Sequence, residues 1–190
     1  MRWPKIVFLL VVAGCAFGAE EEGTNRTAKP AFTFQGVDYF HRWSKGTQHE
    51  FTPEGQEDTE KWTDMITVND YPDVEDGDSL ATTANAVLEN YKNAKAKVIK
   101  TNSVPRTPSR PAEHFIVVLF NRPAFAEVAF ARFKLLDGKG HSYVCSHRAY
   151  GEKAGEQASA WLSANGSKIE KALMGWTSMP SSKSLPQEKL

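Results

Sequence analysis

With 190 residues, 23 basic and 23 acidic side chains, 41% hydrophobic and 11% aromatic residues, the chain has the size and composition of one globular domain. The apolar fraction is too high for a disordered protein, and the balanced charge lacks the basic excess of a dedicated nucleic-acid binder. No collagen period or heptad array is present.

The first elements concern export. Arg2 and Lys5 precede an unbroken apolar run, Ile6 to Val12, and small residues follow at Ala13, Gly14, Cys15, Ala16 and Gly18. This is the pattern of a signal peptide over residues 1–18, and the run is far short of the roughly 20 residues a membrane-spanning helix needs. Val12-Ala13-Gly14-Cys15 resembles a bacterial lipobox, which makes Cys15 a candidate lipidation site; Ala16-Phe17-Gly18 also fits ordinary signal-peptidase cleavage before Ala19. The expected localisation is therefore the bacterial cell envelope, lipid-anchored or periplasmic, with secretion as the alternative. Membrane contact is expected only through the anchor. Once residues 1–18 are removed, 21 basic and 23 acidic side chains remain, Cys145 is the sole thiol, and no intramolecular disulfide can form.

Residues 19–31 carry three consecutive Glu and no aromatic or branched aliphatic residue, and read as a flexible tether. Residues 177–190, with two prolines and four serines, read as a disordered tail, which leaves 32–176 as the folded domain. Its strand signals begin with the aromatic segment Phe32 to Trp43, followed by Thr47 to Thr52 and Trp62 to Val68. A helix is expected from about Ser79 to Ala96: Leu80, Ala84, Val87, Leu88 and Tyr91 share one face, Asp76 and Asp78 are cap candidates, and Lys92 sits near the end. Lys97 to Val104, His114 to Phe120, Phe125 to Leu136 and His141 to Tyr150 then carry the strongest β signal, with Asp137-Gly138-Lys139-Gly140 as a hairpin turn. The prolines at 105, 108 and 111 mark an extended loop. A final helical pattern runs from Glu152 to Gly175, with a break expected at Asn165-Gly166. The expected fold is α+β, an antiparallel sheet of about five to six strands with two main helices packed on it.

Phe51-Thr52-Pro53-Glu54-Gly55 followed by Trp62-Thr63-Asp64-Met65-Ile66-Thr67-Val68 resembles the opening of small, uncharacterised bacterial envelope proteins whose architecture is similar to the PsbP-like and DcrB-like class. The resemblance implies an α/β/α sandwich and leans away from an enzyme, since it carries no catalytic signature.

Motifs with a known mechanism are missing from the sequence: no G-x-S-x-G, H-E-x-x-H, Walker loop, G-x-G-x-x-G or Cys-x-x-Cys. Neither a cofactor nor a metal site is therefore assigned. One constellation stands out. Strand alternation places His141, Tyr143, Cys145 and His147 on one face, so a thiol beside an imidazole, or three zinc or copper ligands, could arise there. The competing reading makes Tyr143 and Cys145 core residues, free Cys being among the most buried types. Tyr39, Phe40 and Trp43 form a candidate binding surface, against a reading in which Tyr39, His41 and Trp43 face the core. The expected function is a non-enzymatic exported module that binds a partner protein or small ligand, with no role for nucleic acid; the alternative is a secreted enzyme using Cys145 with His147 or His141.

Overall fold

The computed structural model describes residues 29–181. The expected signal segment with Cys15, most of the expected tether and residues 182–190 lie outside the described residues. Element order is β1 (Phe32–Phe34), β2 (Val37–Lys45), β3 (Gln48–Pro53), β4 (Asp64–Tyr71), α1 (Gly77–Asn93), β5 (Lys97–Val104), β6 (Glu113–Asn121), β7 (Phe125–Leu136), β8 (Lys139–Tyr150) and α2 (Ala154–Gly175).

All eight strands join one antiparallel sheet in the order β1-β2-β3-β4-β8-β7-β6-β5. The α+β class stands, but eight strands replace the expected five to six. The difference starts in the aromatic segment 32–43, which is a hairpin: Gln35 and Gly36 take φ of 51° and 79°, the left-handed geometry of a two-residue hairpin turn, and Phe34 pairs with Val37. The turn is missed because Gln-Gly lacks the Asn or Asp that usually announces it. At the other end, the 22-residue α2 runs through Asn165-Gly166 without a break. Asn165 Nδ2 donates to the Trp161 carbonyl 3.0 Å away, and apolar residues on both sides of the pair, Trp161, Leu162, Ile169 and Leu173, pack on the same core. That shared burial outweighs the weak helix propensity of two residues.

The sheet has a core on each face. In β6, Phe115 and Val117 face the cluster that includes Ala158 and Leu173 of α2, whereas Ile116 and Val118 face Leu80, Ala84, Val87 and Tyr91 of α1. This two-sided cover explains why β6 reads as an uninterrupted apolar run. Helix α1 begins at Asp76, whose carboxylate accepts from the Ser79 N–H at 2.7 Å, with the Ser79 side chain reciprocating. It carries the chain from β4 near the middle of the sheet to the far edge strand β5, and packs on β6 and β7 along the way.

Two close approaches pin the ends of the core. Gly140, at the start of β8, donates its N–H to the Val74 carbonyl at 2.7 Å, and a Cβ built there would lie 2.6 Å from Val74 Cγ1. Gly140→Ala is therefore expected to cost about 1–3 kcal/mol through overpacking, read as a lowered urea midpoint at unchanged m; an unaltered midpoint would show that the Val74 turn yields freely. After α2 the chain remains packed beyond Trp176: Met179 and Pro180 are buried, and the Tyr143 hydroxyl donates to the Pro180 carbonyl at 2.8 Å. Residues 177–181 thus belong to the folded body, although the sequence reading placed them in the tail.

Candidate functional site

Alternation along β8 sends His141, Tyr143, Cys145 and His147 to the face that carries α2, as the sequence spacing implies, but their surroundings separate them chemically. Cys145 sits between its cross-strand neighbours Ile66 and Phe130, and it is 6% exposed. Burial pushes its thiol up to about 12, with Asp64 adding to the effect, so at neutral pH the sulfur is a protonated core atom and no nucleophile. His147 is held elsewhere: its Nδ1 lies 2.9 Å from Asp64 Oδ1, and its ring stacks on Trp161 of α2 at 3.9 Å and 3°. His141 stacks on Tyr143 with centroids 6.0 Å apart, and its Nδ1 donates to the Lys139 carbonyl at 3.0 Å. The cysteine–histidine site considered from sequence is therefore not assembled. Among the described residues no group of three or more His, Cys, Asp or Glu side chains is arranged to hold a metal ion.

The candidate aromatic surface is divided by a β-bulge. Register between β2 and β3 shifts between His41 and Trp43, with Arg42 as the extra residue. Tyr39 falls on the α2 face, 5% exposed and stacked on Phe32 at 5.7 Å, and burial drives its phenol upward. It is a core residue and drops out of the surface. His41 follows it inward, meeting Phe51 edge-on at 5.4 Å. Beyond the bulge the parity reverses: Trp43 pairs with Glu50, and with Phe40 it occupies the opposite face, where both are half-buried. The alternative reading, with Tyr39, His41 and Trp43 all inward, fails for the same reason at Trp43.

That opposite face of β2, β3 and β4 lies beside the region α1 covers. Phe40 and Trp43 stand there with Glu50 and Thr67, all of intermediate exposure. Gln48 Nε2 donates to Glu50 Oε1 at 2.9 Å, and burial raises the Glu50 carboxyl above its ordinary range against the pull of Gln48 and Arg148. Arg42 ties the bulge to the end of β3 through Thr52 Oγ1 at 2.9 Å and the Pro53 carbonyl at 3.0 Å. Further along, Arg148 packs over Trp62 and Phe125 at 4.0 and 4.2 Å and pairs with Glu127 at 2.8 Å.

The sequence reading missed a second cluster, on the α2 face at the hairpin end of the same strands. Ser44 Oγ lies 2.6 Å from His41 Nε2 and 2.7 Å from His49 Nδ1. His49 Nε2 is 3.8 Å from Asp70 Oδ2, and Asp70 Oδ1 is 3.2 Å from His141 Nε2. Burial lowers the affinity of His49 for a proton despite the nearby Asp70, and lowers that of His41 with help from His49. Burial raises the Asp70 carboxyl, which His141 and His49 partly offset. Ser, His and Asp are the residue types of a hydrolytic triad, but here His49 is 3% exposed, its carboxylate contact is long, and Ser44 is shared with a second imidazole. The arrangement gathers three imidazoles and one carboxylate on the α2 face of the sheet. The signal that could have revealed it is the tight turn at 46–47, which brings Ser44 opposite His49.

Residues 27–176 match the model of one protein family, which is uncharacterised. The chain belongs to that family. The matched segment takes in all eight strands and both helices, and with them both clusters described above. No curated protein matches the chain. Among the described residues, no helix is long and apolar enough to cross a membrane.

Proposed function

We propose that the protein is an exported, non-enzymatic binding module of the bacterial cell envelope, and that it engages a partner protein or small ligand through the β2–β4 face bearing Phe40 and Trp43. The observation that carries this reading is the bulge at Arg42, which turns a large aromatic residue out of the core and sets it beside Phe40 and the half-buried Glu50. Bulges re-aim side chains at functional positions, and half-buried aromatics offer large contact area at low entropic cost. Burial of Cys145 and the separate engagement of His147 remove the chemistry on which the enzymatic alternative depended. Export is supported by Arg2, Lys5, the apolar run Ile6 to Val12 and the small residues after it, and by the resemblance of the Phe51–Gly55 and Trp62–Val68 segments to envelope proteins of the PsbP-like and DcrB-like class. Lipidation at Cys15 is the processing we favour.

Both parts can be checked in a bacterial host expressing the full chain. The mature protein is expected in the envelope fraction, with an N-terminal lipid-modified cysteine by intact mass; a mature chain that starts unmodified at Ala19 would rule out the anchor, and one that retains Met1 in the cytoplasm would rule out export. A photo-crosslinking residue in place of Trp43 is expected to give a discrete adduct that the same residue in place of Glu89, on the exposed side of α1, does not give. Identical adduct patterns from both positions, or none from either, would reject the binding face.

A further inference from the structure

We propose that His41, Ser44, His49, Asp70 and His141 form an acid-responsive latch that holds the β2–β3 hairpin against the rest of the sheet and loosens it when the cluster takes up protons. The cluster is drawn from four strands: His41 and Ser44 from β2, His49 from β3, Asp70 from β4 and His141 from β8. Its logic follows from counting protons. Ser44 has one hydroxyl proton and faces two imidazole nitrogens at 2.6 and 2.7 Å, so with one neutral ring it donates to that ring and accepts from the other. When both rings become imidazolium, both facing nitrogens are donors, the hydroxyl's own proton loses its acceptor, and two cations flank one oxygen.

Counter-charge is equally limited. The titratable groups facing one another here are the three imidazoles and the single carboxylate of Asp70, with the Tyr143 ring stacked on His141 and the Trp176 ring, from the end of α2, packed on Tyr143 at 5.9 Å. One carboxylate matches one imidazolium and leaves the others uncompensated. Asp70 Oδ1 and His141 Nε2 are moreover buried without an aligned hydrogen bond, despite their 3.2 Å separation, so the one counter-charge is poorly aligned with the imidazole nearest to it. Buried charge without a partner is relieved by admitting water, and the element free to move is the hairpin, which only the three-residue β1 separates from the sheet edge.

Phe40 and Trp43 ride on the other side of β2, so loosening the hairpin would dismantle the aromatic face and release whatever it holds. That consequence rests on the binding reading given above; the latch does not.

Amide hydrogen exchange of the mature chain at a series of pH values, corrected for intrinsic rates, tests the latch directly. Residues 37–53 are expected to lose about tenfold in protection between pH 7 and pH 5, the effect of one pKa unit on a two-state opening, while β6 and β7 keep theirs. The double variant His41→Gln, His49→Gln retains neutral donors and acceptors beside Ser44 and is expected to abolish that pH dependence. Uniform loss across the sheet, or an unchanged pH response in the double variant, would overturn the proposal. Should the double variant not fold, imidazole titration of the wild-type chain by NMR decides: a His49 midpoint below that of a free imidazole supports the latch, and one at or above it refutes it. Failure of crosslinking at position 43 with the hairpin response intact would remove the binding face and leave the latch standing.

Discussion

Arg132→Met is expected to lower the free energy of unfolding by about 3–5 kcal/mol, the usual cost of breaking one side of a buried ion pair. Arg132 sits in the middle of β7 at 4% exposure, and its guanidinium meets Glu113 Oε2 twice, through Nε at 2.8 Å and Nη2 at 2.7 Å. Its Nη1 donates to the carbonyls of Leu173 at 2.7 Å and Trp176 at 3.1 Å. Helices end with carbonyls that lack intrahelical partners, and the last turn of α2 contains no basic residue of its own. The sheet supplies that cation from across the core. Methionine preserves length and apolar contact but strands the Glu113 carboxylate, takes the guanidinium from the Trp176 carbonyl and leaves the Leu173 carbonyl only the Trp176 N–H at 3.3 Å, so the end of α2 and the packed segment through Pro180 should loosen together. Adding Glu113→Gln is expected to restore part of the loss, because the stranded charge disappears. Urea unfolding of Arg132→Met, Glu113→Gln and the double variant measures the cycle. A single-variant loss below about 1 kcal/mol, the range of an exposed pair, would mean that water reaches Glu113 and that Arg132 is not the clamp described.

Which features were legible in the sequence follows from how far each one's causes lie along the chain. Helix α1 was readable because its apolar stripe, its Asp76 cap and Lys92 are all local. The β7–β8 hairpin was announced by Asp137-Gly138, whose φ values of 53° and 76° are those the pair commonly adopts. The β1–β2 hairpin turned on Gln35-Gly36, a weaker signal, so two strands were read as one segment. At Arg42 a single inserted residue reversed the facing of Trp43 while leaving that of Tyr39 and His41, and no local pattern encodes a bulge. The Ser44–His–Asp70 cluster was least visible of all, since Asp70 and His141 meet only through the pairing of β4 with β8 across 71 positions of sequence. Cys145 stands two residues before His147 and four after His141 in sequence, but its neighbours in space are Ile66 and Phe130. A lone Arg within the apolar run Phe125 to Leu136, and a Glu just ahead of His114 to Phe120, were the traces of the buried pair that could have been followed.

The largest kinetic effect is expected at that same cysteine. In the native chain, alkylation of Cys145 by iodoacetamide at neutral pH should run about a thousandfold slower than that of an unfolded control, because a thiol pushed up to about 12 has that much less thiolate than an ordinary one. The cause is its position between Ile66 and Phe130 under α2, where the charged form has no solvent, and Asp64 acts on it with the unfavourable sign. His147 offers no relief, since Asp64 and Trp161 already hold its ring. His147→Ala is therefore expected to leave the native labelling rate unchanged, apart from any general loss of stability. Slow labelling through transient unfolding would accelerate with urea in step with the unfolding equilibrium, which identifies the route by which reagent arrives. Native labelling within tenfold of a model thiol, abolished in His147→Ala and insensitive to low urea, would instead show a thiolate activated by its neighbour. That outcome would return Cys145 to the position of a nucleophile and make the enzymatic reading the better one.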